Sequence, residues 1–574
     1  MRWALSRPLL LRRFNPRIFV QRVDEMDDDP LRSGYCEHEK ARMCDDHDAV
    51  GANRPANVRL IQLRQPLPHV SPSRGVHIVS TNILFLMTDQ HRLDTLGAYG
   101  NKVVPTPNLD ALAATGTLFR RCYTPTAICT PARASLLTGQ QPFRHKLLAN
   151  QERNVGYNED LAPGTFTFPE ALLDAGYACG LIGKWHIGTE RNAASYGFDG
   201  PDLPGWHNPV DHEDYQAYLA ERGLPPVVTS GEIRGIYPNG RPGNLLAARL
   251  HQPAEATFEA YLATRAIEML RVYAERYNHT GRPFFLELSF FGPHLPYLLP
   301  DEYFDLIDPA QVHLPGSVAE TFKDKPVVQL KYSGHWAYDT FSQDQSRKVI
   351  AIYWGYVALI DAQIGRVLRA LDELGLTDDT AVFFTADHGE FTGAHRLHDK
   401  GPAMYEDIYH IPAIIRVPGK APTTRDEMVL LTDFTATILD LAERDSSCAV
   451  DSRTLLPLVC GDEVNWPDEA VCEFHGHHFP YAQRMLRTGC YKLVVNPESV
   501  NELYDLSTDP DELRNRYNDP TMSDVRDRLV QRLYEILQAR GDNFYHWMTS
   551  TDPIGSGTVL NPSRAPSETA PPRT

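Results

Sequence analysis

The chain has 574 residues, 42% of them apolar and 23% charged, which is enough material for a large core or for several domains. Lys plus Arg number 56 against 74 Asp plus Glu, a net charge of −18; nucleic acid and anionic membranes are held by clustered positive charge, so both are poor candidate partners. No run approaches the ~20 apolar residues that span a bilayer, and the mean hydropathy is −0.36.

Residues 1–23 contain six arginines and no acid. Their apolar run is broken at Arg12 and Arg13, so a secretory core segment is absent from this stretch and a cytoplasmic location is expected. The nine cysteines form no C-x-x-C pair and are scattered through a chain large enough to fold without staples, which favours a reducing compartment. Residues 1–80, acidic and without a period after residue 26, are expected to be an irregular extension.

The first element is Asn82-Ile-Leu-Phe-Leu-Met-Thr88, a continuous apolar run that ends at Asp89, as in a strand buried on both faces of a parallel sheet. A helix is predicted over 106–114, with Pro107 at its start. Helices over 168–175, 255–275, 348–374 and 433–442 alternate with strands over 178–182, 284–291, 380–385 and 413–417. Such alternation predicts an α/β fold, a mostly parallel sheet covered by helices, spanning 81–445. Ligands bind such sheets beyond the carboxyl ends of the strands, where Asp89, His294 and Asp387 fall. The segment 206–250, rich in Gly, Pro and charge, reads as an insertion. From 446 to 550 shorter strands (470–474 and a hairpin over 485–495) precede a helix over 523–539, a smaller α+β subdomain. Residues 551–574, rich in Pro, Ser and Thr, are expected to be disordered.

Chemistry concentrates in Ala127-Ile-Cys-Thr-Pro-Ala-Arg-Ala-Ser-Leu-Leu-Thr-Gly139. Cys129 precedes an apolar helical segment, so it stands at a helix N-terminus, and Arg133 lies one turn on along the same face. A cysteine beside an arginine there is a nucleophile candidate, against the ordinary fate of a buried structural cysteine.

This segment resembles the signature of the sulfatase family, C-x-P-x-R and a trailing L-L-T-G, within the alkaline-phosphatase superfamily. A second family signature is matched by Gly176-Tyr-Ala-Cys-Gly-Leu-Ile-Gly-Lys-Trp-His186, departing only at Cys179, where Ser or Thr is usual. Thr88-Asp-Gln-His91, Ser289-Phe-Phe-Gly-Pro-His294, Thr385-Ala-Asp-His-Gly-Glu390 and Glu502-Leu-Tyr-Asp-Leu-Ser-Thr-Asp-Pro510 are further family landmarks. In order, they cover roughly 81–545.

The resemblance implies an alkaline-phosphatase-like fold and a Cys129 that a formylglycine-generating maturation enzyme oxidises to an aldehyde. One oxygen of its hydrate attacks the sulfur of a sulfate ester, the alcohol leaves, and the second hydroxyl lets sulfate be expelled. It further implies one divalent metal, held by Asp89, Gln90, Asp387 and His388 with residue 129. Calcium is the usual ion, while the imidazole also suits Mn2+ and Mg2+ stays open. Arg133, Lys184 and Lys400 match positions that hold the nucleophile and the sulfate oxygens; His186 and His294 match histidines near the nucleophile and the leaving oxygen. The substrate implied is a small-molecule or carbohydrate sulfate ester. The Asp-Gln and Asp-His pairs also resemble choline sulfatases and phosphonate monoester hydrolases, so a phosphonate monoester or phosphodiester hydrolase with the same nucleophile is the alternative; Lys184 and His186 favour the sulfatase. A non-catalytic binder of sulfated ligands is expected to lose at least one of Cys129, Arg133, Asp89 or Asp387, and none is lost. The cluster Glu473-Phe-His-Gly-His-His478 reads foremost as a solvated loop, with a substrate-pocket loop or second metal site behind it. His395 and His398, in the loop before Lys400, are candidate substrate contacts.

Overall fold

The computed structural model describes residues 81–150, 156–203, 205, 210–337, 340–497 and 499–550. The expectations for 1–80 and 551–574 lie outside the described residues. In chain order the strands are β1 (Asn82–Asp89), β2 (Thr117–Tyr123), β3 (Ala178–Gly183), β4 (Thr229–Ile236), β5 (Pro242–Leu250), β6 (Phe284–Pro293), β7 (Tyr297–Pro300), β8 (Thr380–Ala386), β9 (His410–Ile411), β10 (Ala413–Arg416), β11 (Thr423–Leu430), β12 (Glu469–Gly476), β13 (Pro480–Thr488), β14 (Tyr491–Val495) and β15 (Glu502–Asp505). The principal helices are α1 (Pro107–Thr115), α2 (Cys129–Thr138), α3 (Phe168–Asp174), α4 (Phe258–Thr280), α5 (Gln343–Glu373), α6 (Asp433–Leu441) and α7 (Ser523–Arg540).

The central sheet runs β11-β2-β10-β8-β1-β6-β3, with β9 paired to β2. Its middle is parallel, β8, β1, β6 and β3 all pointing one way, whereas β10 is antiparallel to both β8 and β2. The apolar run of β1 is buried at every position, and its alternate residues serve two cores. Leu84 and Leu86 pack with Leu262 and Leu270 of α4 and Val357 of α5; Ile83 and Phe85 pack with Leu136 and Leu137 of α2 and Phe434 of α6. Helices thus cover both faces, which explains why no polar alternation marks the inner strands.

Two strands of the central sheet carry charge and were not expected from the sequence: β2, with Arg120 and Arg121, and the edge strand β11, whose first half is only partly buried. The 206–250 segment supplies a helix, Glu213–Glu221, and the β4–β5 hairpin, which joins β7 in a three-stranded sheet. Toward the C-terminus β12-β13-β14-β15 form an antiparallel sheet, packed on α7 through Leu486, Leu493, Leu529 and Leu533.

Candidate active site

The carboxyl ends of β1, β8, β6 and β3 lie side by side, and residues at or just beyond those ends build the site. Asp89 closes β1, Asp387 comes directly after β8, His294 after β6 and Lys184 after β3. Gly183 permits that last approach: its φ is +115°, and a Cβ there would lie 1.8 Å from the Ser289 carbonyl oxygen. The Lys184 amide donates to the same carbonyl at 2.8 Å. Cys129 is the first residue of α2, after Ile128 in extended conformation with no side-chain cap; in that first turn the Thr130 amide donates to Asn150 Oδ1 at 3.0 Å, the Ala132 amide donates to the Ile128 carbonyl at 3.0 Å, and Pro131 has no N–H to give.

Arg133, one turn along α2 and 2% exposed, ties these ends together. Its Nη2 donates to Asp89 Oδ2 and its Nε to Asp387 Oδ2, both at 2.9 Å, while Nη1 donates to Ser289 Oγ at 2.7 Å and to the Lys184 carbonyl at 3.0 Å. Lys184 Nζ adds a 2.7 Å ion pair to Asp89 Oδ2. Each carboxylate gives one oxygen to Arg133 and turns the other inward. Asp89 Oδ1 lies 4.0 Å from Cys129 Sγ, and Asp387 Oδ1 lies 3.8 Å from His388 Nε2. His388 Nε2 is 3.2 Å from Cys129 Sγ.

The four side chains Asp89, Cys129, Asp387 and His388 offer ligand atoms all within 4.8 Å of one another. The donor set suits a divalent cation. Two carboxylate oxygens attract a hard ion, and His388 Nδ1 donates to the Gly389 carbonyl at 2.8 Å, so Nε2 is the ring nitrogen that faces the cluster. The fifth expected ligand, Gln90, sits at φ +63° with its amide N–H donating to Asp387 Oδ1 at 3.0 Å; its side-chain oxygen accepts from Lys400 at 2.9 Å and its side-chain nitrogen donates to Glu390.

The electrostatics are set by this crowding. Burial raises the Asp89 carboxyl, but Lys184 and Arg133 outweigh it and hold the group well below the usual carboxylate range. Burial and the Asp89 charge push Asp387 up to about 6, because like charges in one dry site resist joint ionisation. Burial and Asp89 oppose ionisation of Cys129, yet Lys400, Lys184 and His388 bring the thiol well below its usual value. His186, buried at φ +52°, is pushed down to about 4 by burial and by Lys184, and its Nδ1 has no hydrogen-bond partner.

On the opposite side, Lys400 Nζ donates to Gln90 Oε1 at 2.9 Å and to His294 Nε2 at 3.0 Å. His294 Nδ1 lies 2.6 Å from the Leu295 carbonyl, so it carries the ring proton and Nε2 accepts. The structure therefore brings together all of Asp89, Gln90, Cys129, Arg133, Lys184, His186, His294, Asp387, His388 and Lys400. It does not bring in His395, whose ring stacks on Tyr405 at 3.5 Å with Nδ1 3.0 Å from Glu320, inside a buried network. In the 473–478 cluster, Glu473 and His475 lie on β12 rather than in a solvated loop, Glu473 is 1% exposed, and His475 Nε2 bonds it at 2.7 Å; His477 and His478 stand in the turn that follows, His477 buried and His478 exposed.

Three supporting residues are not singled out as site residues by the sequence. Ser289 braces Arg133. Glu390 accepts from the amides of Thr392 and Asp399 at 3.0 and 2.6 Å as well as from Gln90. Asp399 pairs with Lys400 at 3.0 Å. Glu390 stands inside a family motif, but nothing local announces that a loop folds back onto it.

A doubly covered α/β sheet with a cysteine, two carboxylates and an imidazole at its carboxyl edge, ringed by Arg and Lys, defines a hydrolase of the alkaline-phosphatase-like class. The sulfatase family model matches residues 81–444, and a model described as N-sulphoglucosamine sulphohydrolase, C-terminal, matches 393–539. The chain belongs to the sulfatase family, the sulfuric ester hydrolases. It is 31% identical over 480 residues to the sulfatase YidJ of Escherichia coli (strain K12), covering 81% of this chain and 89% of that one. It is 26% identical over 529 residues to the N-acetylglucosamine-6-O-sulfatase of Bacteroides thetaiotaomicron, covering 83% and 88%. Among solved structures it is similar to the phosphonate monoester hydrolase of Agrobacterium radiobacter, with a TM-score of 0.67, 26% identity, and coverage of 80% and 96%. No helix among the described residues is long and apolar enough to cross a membrane.

Proposed function

We propose that the protein hydrolyses sulfate esters with a formylglycine made from Cys129, aided by one divalent cation. The observation that carries this is the placement of Cys129 at the start of α2, its sulfur 3.2 Å from His388 Nε2 and 4.0 Å from Asp89 Oδ1, beside three buried cations. Once converted, residue 129 supplies a hydrated aldehyde whose oxygen is the nucleophile toward sulfur. Asp89, Asp387 and His388 would hold the cation, with Gln90 at its edge, and the bound ion would add positive charge beside the sulfate oxygens. Calcium fits the carboxylates best; Mn2+ would be better tolerated by the imidazole.

The chain's own groups do the rest. Arg133 fixes both carboxylates, so the anionic ligands cannot turn away from residue 129. Lys184, over the Phe291 ring at 5.9 Å, places a charge with little water around it, where a developing negative charge is stabilised most strongly. His186, held neutral by its surroundings, is positioned to accept a proton from the nucleophile. Lys400 and His294 face the side from which the alcohol departs: as the bond from sulfur to the alcohol oxygen breaks, its electron pair stays on that oxygen beside the Lys400 ammonium.

The substrate class this supports is a sulfated alcohol, carbohydrate sulfates included, since a similar relative acts on N-acetylglucosamine 6-O-sulfate groups as its name states. The likeness to a phosphonate monoester hydrolase favours a second reading in which the same nucleophile takes phosphorus esters; Lys184 and His186 in the site weigh against it. The test is peptide mass spectrometry of active enzyme for formylglycine at position 129, alongside Cys129→Ala. Loss of turnover is expected, and full activity of an unmodified Cys129 enzyme on a sulfate ester would end this reading.

A further inference from the structure

The loop bearing Lys400 is gripped by segments far away in sequence. Lys400 Nζ donates to Gln90 Oε1 at 2.9 Å, to His294 Nε2 at 3.0 Å and to Asp399 Oδ1 at 3.0 Å, so each of its three N–H groups has an acceptor. Asp399 is 3% exposed and itself anchored twice. Its amide donates to Glu390 Oε1 at 2.6 Å, and its second carboxylate oxygen lies 3.6 Å from His477 Nε2.

His477 comes from the turn between β12 and β13. That turn is tight: Gly476 has φ +141°, and a Cβ there would lie 2.4 Å from the Phe479 carbonyl oxygen. His477 lies against His478 with ring centroids 3.8 Å apart, His478 is 5.0 Å from His335, and His335 stacks on Tyr332 at 5.3 Å. Tyr332 in turn covers Gly401, whose missing Cβ would lie 2.6 Å from the ring. The loop is thus pinned on both sides of Lys400, at Asp399 by the His477 imidazole 3.6 Å away and at Gly401 by the Tyr332 ring.

We infer that Asp399 is a positioning residue for Lys400, and that His477, delivered by the C-terminal sheet, fixes Asp399 in turn. A lysine is a point charge on a flexible four-carbon stem, and Asp89 and Cys129 also draw this one toward themselves. Asp399 supplies the counter-pull that keeps the ammonium beside His294. Because His477 anchors the far oxygen, that pull has a fixed direction. The C-terminal sheet therefore completes the charge arrangement on the leaving-group side of the site, an assignment that rests on the sulfatase reading for the identity of the leaving alcohol.

The experiment uses the full-length, converted enzyme and a series of aryl sulfates whose phenols span a wide range of pKa. Wild type is compared with D399N, H477A and H477Q at matched formylglycine content. D399N is expected to lower kcat about 10- to 100-fold, the usual effect of losing an orienting partner, with KM little changed. The loss should grow as the phenol becomes a poorer leaving group, since a poor leaving group carries more charge for Lys400 to stabilise. H477A should show the same pattern at smaller size, and H477Q, which keeps an N–H donor, should recover most of it. A uniform loss across all phenols, or wild-type kinetics in both D399N and H477A, would overturn the inference. If D399N does not fold, H477A against H477Q decides it. Wild type inactive on every sulfate would instead sink the sulfatase reading, and the same aryl series as phosphonate monoesters would then test the positioning role.

Discussion

Arg133 offers the sharpest quantitative test, because one guanidinium ties two buried carboxylates. It makes four hydrogen bonds, two of them to Asp89 and Asp387, both 0% exposed. Arg133→Met keeps the volume of the chain, so the cavity cost stays small and the charge term dominates. Removing one partner of a buried ion pair typically costs about 3–5 kcal/mol; this removal strands Asp387 and leaves Asp89 with Lys184 as its remaining cation. The lower end of that range applies where Asp387 can take up a proton instead. Its folded value of about 6 already lies above the ~3.9 of an unfolded Asp, so its contribution to stability is present at low pH and is lost as pH rises toward 6. Arg133 is one of the groups lowering that value, and without it the loss continues to higher pH. The deficit of R133M relative to wild type should therefore be smaller near about pH 6 than near about pH 8, by about 1.4 kcal/mol for each unit that Asp387 moves. Urea unfolding in chelator at both pH values measures this. A deficit under about 1 kcal/mol at both would refute the claim that Arg133 carries the two carboxylates.

Asp387→Asn should lower bound divalent metal and activity together, read by elemental analysis and turnover; fully active wild type without any divalent metal would contradict the cation assignment. Lys184→Ala should cut kcat about 10²–10³-fold on an aryl sulfate with a smaller change in KM, measured beside matched phosphonate monoester and phosphodiester substrates. A wild type preferring the phosphorus esters, with K184A indifferent, would move the chain to the alternative reading. Gly183→Ala should lose activity and stability together, since its Cβ would meet the Ser289 carbonyl at 1.8 Å; normal melting and kinetics would show that the backbones at the ends of β3 and β6 are not held so close.

How much of the fold is legible in the sequence depends on whether the deciding interactions are local. Strands β1, β3, β6 and β8 are buried on both faces, so their composition alone betrays them. The β2 sequence TLFRRCY hides its role because Arg120 and Arg121 lie toward the edge of the sheet, where they pair with Asp426 and Asp468. The β11 sequence opens with exposed polar residues for the same reason. Helix α5 begins five residues before its apolar pattern does, at Gln343 rather than 348, because a capping box between Ser342 and Gln345 starts it with polar residues.

The site divides along the same line. Asp89, Cys129, Lys184 and Asp387 stand where an element meets its loop and Arg133 one turn into α2, and their motif context announces them. Asp399, Glu390 and His477 act across separations that no local period encodes: 9 residues from Glu390 to Asp399, and 78, by subtraction, from Asp399 to His477. The histidines sort by the same criterion. His395, in the loop before Lys400, is drawn off by Glu320 and Tyr405 into a buried network, while His477, in a segment that reads as a solvated loop, reaches the site because β12 and β13 carry their turn to Asp399. Proximity in sequence to a catalytic lysine is the wrong guide in this chain; which carboxylate each imidazole meets after folding is the physical determinant.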